Sequence, residues 1–216
     1  MLAETFVFSC EVRGMRSSRV SVIAVTPADT RRWVKADLVN RLLPFGAVVG
    51  VAWVGWHPRW LGMASGDLVV QLAFGALMLP MMFVAATLLQ LALSRRRGVL
   101  RVGDGPDVLL ESTFYILNGP LEEGFFRGLL QGGVGALLGA PAGFAVGTAS
   151  YVLYHRLGGW SWLDVAATAL AGIPLGLAFW LLPGPPSLLG VSIAHVGATC
   201  GFLGPGPWLL NRLRLL

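Results

Sequence analysis

From residue 42 onward, long apolar runs alternate with short polar breaks; the runs lie near 42–57, 68–93, 108–130, 134–154, 164–182 and 187–203. They do not alternate at period two, and most approach the roughly 20 residues a helix needs to cross a bilayer. Helices satisfy every backbone polar group internally, which hydrocarbon demands, and short alternating barrel strands would read differently. The pattern therefore predicts an all-α, polytopic transmembrane helix bundle of about six spans. The first and last runs are short and are expected to tilt, to thin the bilayer or to pack inside the bundle.

Residues 1–41 are mixed in character. Val20 to Val25 reads as a short strand, and Thr26-Pro27-Ala28-Asp29 as a turn or helix start. The opening run is short and is broken by Glu4, Glu11 and Arg13, unlike a signal peptide. The chain divides into a cytoplasmic N-terminal arm (1–41), two transmembrane helices with a basic loop (42–101) and a helix bundle (102–216). Gly119-Pro120 stands where it would break the third span into two half-helices. Gly135, Gly139, Gly143 and Gly147 form a row at every fourth position, and Gly172 and Gly176 a shorter one. Such rows let helices approach closely. The first continues to Tyr151 and His155, which should hold His155 near a packed face.

Composition fits this picture. Of 216 residues, 55% are hydrophobic and only 12% charged, against about 25% charged in soluble domains. Trp53, Trp56, Trp60, Trp160, Trp162, Trp180 and Trp208 fall near predicted span ends, as an interfacial belt would. The net charge of +5 comes from basic residues flanking the runs. They read as topology signals, and nucleic acid is not an implied partner. Arg31, Arg32, Lys35 and Arg41 precede the first span, and Arg95, Arg96, Arg97 and Arg101 follow the second. Arg156 follows the fourth, and Arg212 and Arg214 the sixth. Six crossings put all of these on one side, so both termini are expected in the cytoplasm. Cys10 and Cys200 do not make a disulfide framework.

The chemistry concentrates in three apolar segments. The third carries Glu122-Glu123-Gly124-Phe125-Phe126-Arg127, the fourth His155 and the sixth His195. A charge at the centre of a membrane helix costs about 2.5–3.5 kcal/mol on insertion scales, so such groups are expected to share a polar site. Glu122 and Glu123 are about 100° apart around a helix, so one can face a site while the other supports it. Glu123 and Arg127 are four apart and can pair, leaving Glu122 to the polar centre. His155 stands near a span end and reads equally well as an interfacial residue. His195 is deeper and needs a partner. Thr199, one turn on, has a hydroxyl that most often bonds back to its own helix. No zinc-protease helix motif, nucleophile elbow or phosphate loop competes. Glutamate and histidine together can bind a metal and activate water, which points to a membrane-embedded hydrolase.

These residues, in this order, resemble the CAAX-protease and bacteriocin-processing family of intramembrane metalloproteases, also called the CPBP or Abi family. Its first motif, two glutamates and an arginine, stands here as Glu122-Glu123-Gly124-Phe125-Phe126-Arg127. Its second, an aromatic residue and a histidine, is Tyr151-Val152-Leu153-Tyr154-His155, with tyrosine where phenylalanine is usual. Its third is His195-Val196-Gly197-Ala198-Thr199, where threonine replaces the usual asparagine. The resemblance covers about residues 108–203. It implies an endopeptidase acting on a membrane-associated protein or peptide in a lipid environment, in a bacterial cell membrane. It implies Glu122 as the base that activates water, Glu123 and Arg127 as support, and His155 and His195 as zinc ligands or oxyanion stabilisers. Zinc is the implied cofactor, with Glu122, His155 and His195 as the workable ligand set. A metal-free route, with Glu122 activating water and the histidines stabilising the oxyanion, fits the same residues. Thr199 replaces an amide with a single hydroxyl, which supports the alternative of a non-catalytic membrane scaffold or binding protein on the same fold. A transporter ranks last, because the chain has no internal repeat.

Overall fold

The computed structural model describes residues 20–216. Cys10 and the first 19 residues of the N-terminal arm lie outside them. The expected strand is β1 (Ser21–Ala24). Thr26 then caps α1 (Pro27–Asp37): its hydroxyl accepts from the Asp29 N–H, with Pro27 at the first helical position.

The helix does not stop at residue 41. It passes through a π-helical turn, Leu38–Leu42, into α2 (Leu43–Trp56), giving one helical path over Pro27–Trp56. Pro44 sits just past that turn and lacks an N–H, so a widened turn is a natural place for it. Arg41 therefore lies midway along a 30-residue helix, where its polar first half gives way to the apolar second half.

Asp67 caps α3 (Leu68–Arg97) through the Val70 N–H, and Gly98, at φ 71°, ends it. The stretch read as a basic loop then forms β2 (Val99–Val102), which pairs parallel with β1 in the register Ser21↔Val99. A capping box between Asp104 and Asp107 opens α4 (Gly105–Glu123). Gly119-Pro120 does not break it. The helix runs through Pro120 into a nine-residue π segment, Gly124–Gly132, and on into α5 (Gly133–Leu138). Packing holds the weak point: a Cβ on Gly119 would stand 3.0 Å from the Ser192 carbonyl oxygen, so the later helix that carries Ser192 backs it there.

The remaining helices are α6 (Ala140–Leu157), α7 (Trp162–Leu181), α8 (Leu189–Phe202) and α9 (Pro205–Arg212). At one end of the bundle, Arg97 ends α3 beside Asp164, which opens α7, at 2.8 Å. Trp160, between α6 and α7, stacks there on Phe202 at the end of α8. At the other end, Gly62 and Gly184 approach Phe179 and Asp67. The described residues thus run back and forth six times, and their basic clusters gather at the end that carries the sheet. Three helical segments, Pro27–Trp56, Leu68–Arg97 and Trp162–Leu181, are long and apolar enough to cross a bilayer, and α8 is a shorter apolar helix. Val54, Leu77, Leu88, Leu137 and Leu170 face outward, while Gln71, Asn118, Glu122, Glu123, Arg127, Gln131 and His195 are buried. That is the distribution of a bundle solvated by lipid.

The glycine row predicted in the fourth span is split. Gly139, at φ 92°, is the turn between α5 and α6, a conformation that favours glycine. Gly143 and Gly147 pack against the π segment: a Cβ on Gly143 would stand 2.2 Å from the Gln131 carbonyl oxygen. The row therefore closes a helical hairpin. A second row, which binds α8 to α3, sets the depth of His195. Gly190, Gly197 and Gly201 meet Gln71, Leu79 and Phe83, so the two helices run parallel at close range. Gly197→Ala is expected to cost about 1–3 kcal/mol. Its Cβ would stand 2.2 Å from the Leu79 carbonyl oxygen, which cannot swing aside as a side chain can. Thermal unfolding in detergent micelles checks this.

Candidate active site

Glu122 and Glu123 close the last turn of α4, and both are buried. Their separation around the helix gives them different arginine partners, Arg41 for Glu122 and Arg127 for Glu123. Glu123 points into the bundle and meets Arg127 one turn on, with Nε donating to Oε2 at 3.1 Å. Arg127 is fully buried and its fork is spoken for: Nη2 donates to the Gly172 carbonyl at 3.0 Å and Nη1 to the Thr148 hydroxyl at 3.3 Å. The guanidinium also lies over the Tyr151 ring, 5.0 Å from its centroid. Gly172 and Gly176 make room for this: a Cβ on Gly176 would stand 3.2 Å from Arg127 Nη1.

His195, on α8, joins the two carboxylates. Its Nδ1 donates to Glu123 Oε1 at 2.6 Å, and its Nε2 stands 3.2 Å from Glu122 Oε2. Glu123 therefore fixes the imidazole from behind and is itself held by Arg127. The other oxygen of Glu122, Oε1, pairs with Arg41. Arg41 donates from Nε to Asp37 Oδ1 and from Nη2 to Asn118 Oδ1, each at 2.7 Å. One continuous polar chain thus runs Asp37, Arg41, Glu122, His195, Glu123, Arg127. Opposite charges alternate along most of it, which offsets the cost of burying them together.

Two expected members stand outside this chain. The His155 Nδ1 donates to the carbonyl of Tyr151 on its own helix, at 2.8 Å. Its ring packs edge-on against Tyr151 and Trp160, with centroids 5.0 and 4.9 Å away. The Tyr151 ring also packs on His195 at 5.8 Å, so an aromatic ring is shared between the two imidazoles. Thr199 donates its hydroxyl to the carbonyl of His195 at 3.1 Å, the back-bond that its position in a helix favours.

Glu122, Glu123, Arg127 and His195 are therefore brought together, whereas His155 is not bonded to them and Thr199 reaches only the backbone carbonyl of His195. This bears on zinc. Two of the three expected donors, Glu122 and His195, face each other, but no group of three His, Cys, Asp or Glu side chains able to hold a metal forms among the described residues. The physical reason is that His155 is turned to its own backbone while Arg41 takes up Glu122 Oε1. As placed, the residues do not fit the three-donor set.

Sequence reasoning missed Asp37, Arg41, Asn118 and Thr148. Asn118 carried a signal, because it lies one turn before Glu122 on the same face of α4. Arg41 was legible only as the last of a basic series before the first apolar run.

Residues 106–200 match the family described as Type II CAAX prenyl endopeptidase Rce1-like. No curated protein and no solved structure matches the chain. The matched segment holds all three motifs and bears out the resemblance read from them. It begins after α1, α2 and α3, so Asp37 and Arg41 come from outside it.

Proposed function

We propose that this integral membrane protein is an intramembrane endopeptidase of the CAAX-protease kind, which hydrolyses a peptide bond of a membrane-associated protein or peptide. The observation that carries the reading is the buried Glu122–His195–Glu123–Arg127 cluster inside the segment that matches the family. By the positive-inside rule, the basic end of the bundle and both chain ends face the cytoplasm.

The chemistry follows from the hydrogen bonds. His195 Nδ1 is a donor to Glu123, so a neutral ring would present a lone pair at Nε2. Glu122 also offers lone pairs, 3.2 Å away. Two acceptors at that distance repel, so the pair holds one proton between them. With that proton on Nε2, Glu122 keeps a carboxylate, flanked by Arg41 and His195, that can act as a base. It takes a proton from water as the water oxygen attacks the scissile carbonyl carbon. When the C–N bond breaks, Glu122 returns that proton to the leaving amine. Glu123 and Arg127 keep the imidazole in its tautomer and orientation throughout.

The test is an internally quenched peptide bearing a farnesyl thioether on cysteine, presented in mixed micelles to the purified protein. Cleavage lost in a His195→Ala variant that still folds supports the reading. Intact peptide after prolonged incubation, with prenylated and unprenylated probes alike, sinks it.

No step here is assigned to zinc. Protein purified in detergent without chelator is expected to hold well under one zinc per chain by elemental analysis. Near-equimolar zinc that disappears in a His155→Ala/His195→Ala double variant would overturn the metal-free chemistry.

A further inference from the structure

The proposed chemistry leaves one task without a residue. Attack on a carbonyl puts negative charge on its oxygen, and a donor must meet it in a site that excludes water. Thr199 is turned to its own helix, His155 to its own backbone and His195 to the two glutamates. Arg127 is sealed: its side chain is 0% exposed and bonded to Glu123, Thr148 and Gly172. The first three present no unengaged donor, and Arg127 lies out of a substrate's reach.

Arg41 differs from Arg127 in two ways. Its side chain remains 16% exposed, where that of Arg127 is sealed. It also touches Glu122, the group that activates water, and so stands beside the place where the carbonyl must lie. The fork is aimed by groups that do no chemistry: Asp37 holds Nε from one turn before, and Asn118 Oδ1 holds Nη2 from α4. A guanidinium has five N–H donors in a rigid plane; two bonds to Asp37 and one each to Asn118 and Glu122 leave one, on Nη1, for a further acceptor.

We infer that Arg41, supplied by the N-terminal helix and lying outside the segment that matches the family, is a catalytic residue that stabilises the oxyanion, with Asp37 and Asn118 as its positioning residues. This rests on the peptidase reading above. In the attack step, water's oxygen bonds to the carbonyl carbon, its proton goes to Glu122, and the C=O π electrons move onto oxygen beside Arg41. Collapse restores the carbonyl and expels the amine with the proton from Glu122.

The experiment measures kcat and KM for Arg41→Ala on the farnesylated quenched peptide, with and without guanidinium chloride at about 50 mM. Loss of one oxyanion donor typically lowers kcat by about 10²–10³-fold. That loss is expected here, with KM within about threefold and at least about tenfold recovery of kcat with guanidinium. A merely structural arginine would not be replaced by a small diffusing cation. The inference is overturned by a kcat within about threefold of the parent, by a loss confined to KM, or by no recovery with guanidinium. A loss confined to KM would mark Arg41 as a binding site for a substrate carboxylate. If Arg41→Ala does not fold, Arg41→Lys decides: it keeps the charge and loses the fork. A kcat loss of about tenfold or more at unchanged KM then supports the inference, and a smaller loss overturns it. Parent protein that cleaves neither probe defeats the peptidase reading and this inference together. An active parent with an active Arg41→Ala defeats only the inference.

Discussion

Glu122→Gln is expected to lower kcat by roughly 10²–10⁴-fold, the range that a positioned base contributes, while the protein folds and binds substrate as before. Glutamine has nearly the shape of glutamate, so the last turn of α4 keeps its packing. The change removes one of the charges Arg41 faces, but Asp37 and Asn118 still hold that guanidinium. What disappears is the acceptor for water's proton. The amide also gives His195 Nε2 a neutral neighbour in place of a carboxylate, so the shared proton is no longer held between the pair. Quenched-peptide kinetics on the parent and variant proteins, beside thermal unfolding of both, separate lost chemistry from lost fold. A Glu122→Gln protein within about threefold of the parent would show that another group activates water. A parent protein that binds peptide without cleaving it, and does so equally well as Glu122→Gln, would favour the scaffold alternative.

What could be read in the sequence was local. Glu123 and Arg127 pair because they are one helical turn apart, and that spacing needs no tertiary knowledge. The strand before Thr26 and the helix start after it were equally plain, because caps and turns are written in three or four neighbouring residues. Gly172 and Gly176 announced a close approach, and the Arg127 fork occupies the space they leave. The misreadings came from residues whose meaning is set far along the chain. Val99 to Val102 is a strand only because β1 lies beside it. Gly139 fits a row at every fourth position, yet it makes a turn because its φ of 92° is open to glycine. Arg41 follows Arg31, Arg32 and Lys35 and so looked like part of a membrane-flanking cluster. It stands where the apolar half of the helix begins, and Asp37 one turn before it, with Asn118 and Glu122 on α4, draws it into the buried polar chain. His155 is a different case. The motifs group it with His195, but they are blind to the Tyr151 ring and to the backbone carbonyl that takes its Nδ1 proton.

Arg127→Met is expected to destabilise the protein by about 3–5 kcal/mol, the cost of leaving one partner of a buried ion pair alone. Methionine fills much of the space and keeps the helix, so the loss is electrostatic more than steric. Glu123, itself fully buried, would keep only the bond from His195 Nδ1. The Gly172 carbonyl and the Thr148 hydroxyl would each lose a donor as well. Adding Glu123→Gln to Arg127→Met tests the cause. The double variant removes the stranded charge while leaving an amide oxygen for His195, and it should recover a large part of the lost stability. Thermal unfolding of the parent, both single variants and the double variant in the same micelles completes the cycle. A double variant as unstable as the sum of the single ones would mean that Arg127 acts through its packing on Tyr151 and not through Glu123. Stability recovered in this way should not bring full activity with it. A neutral amide holds the imidazole less firmly than a carboxylate, so the proton shared by His195 and Glu122 loses its electrostatic backing. The pair thus serves the fold and the reaction through one contact, the Glu123 carboxylate set between a sealed arginine and a working histidine.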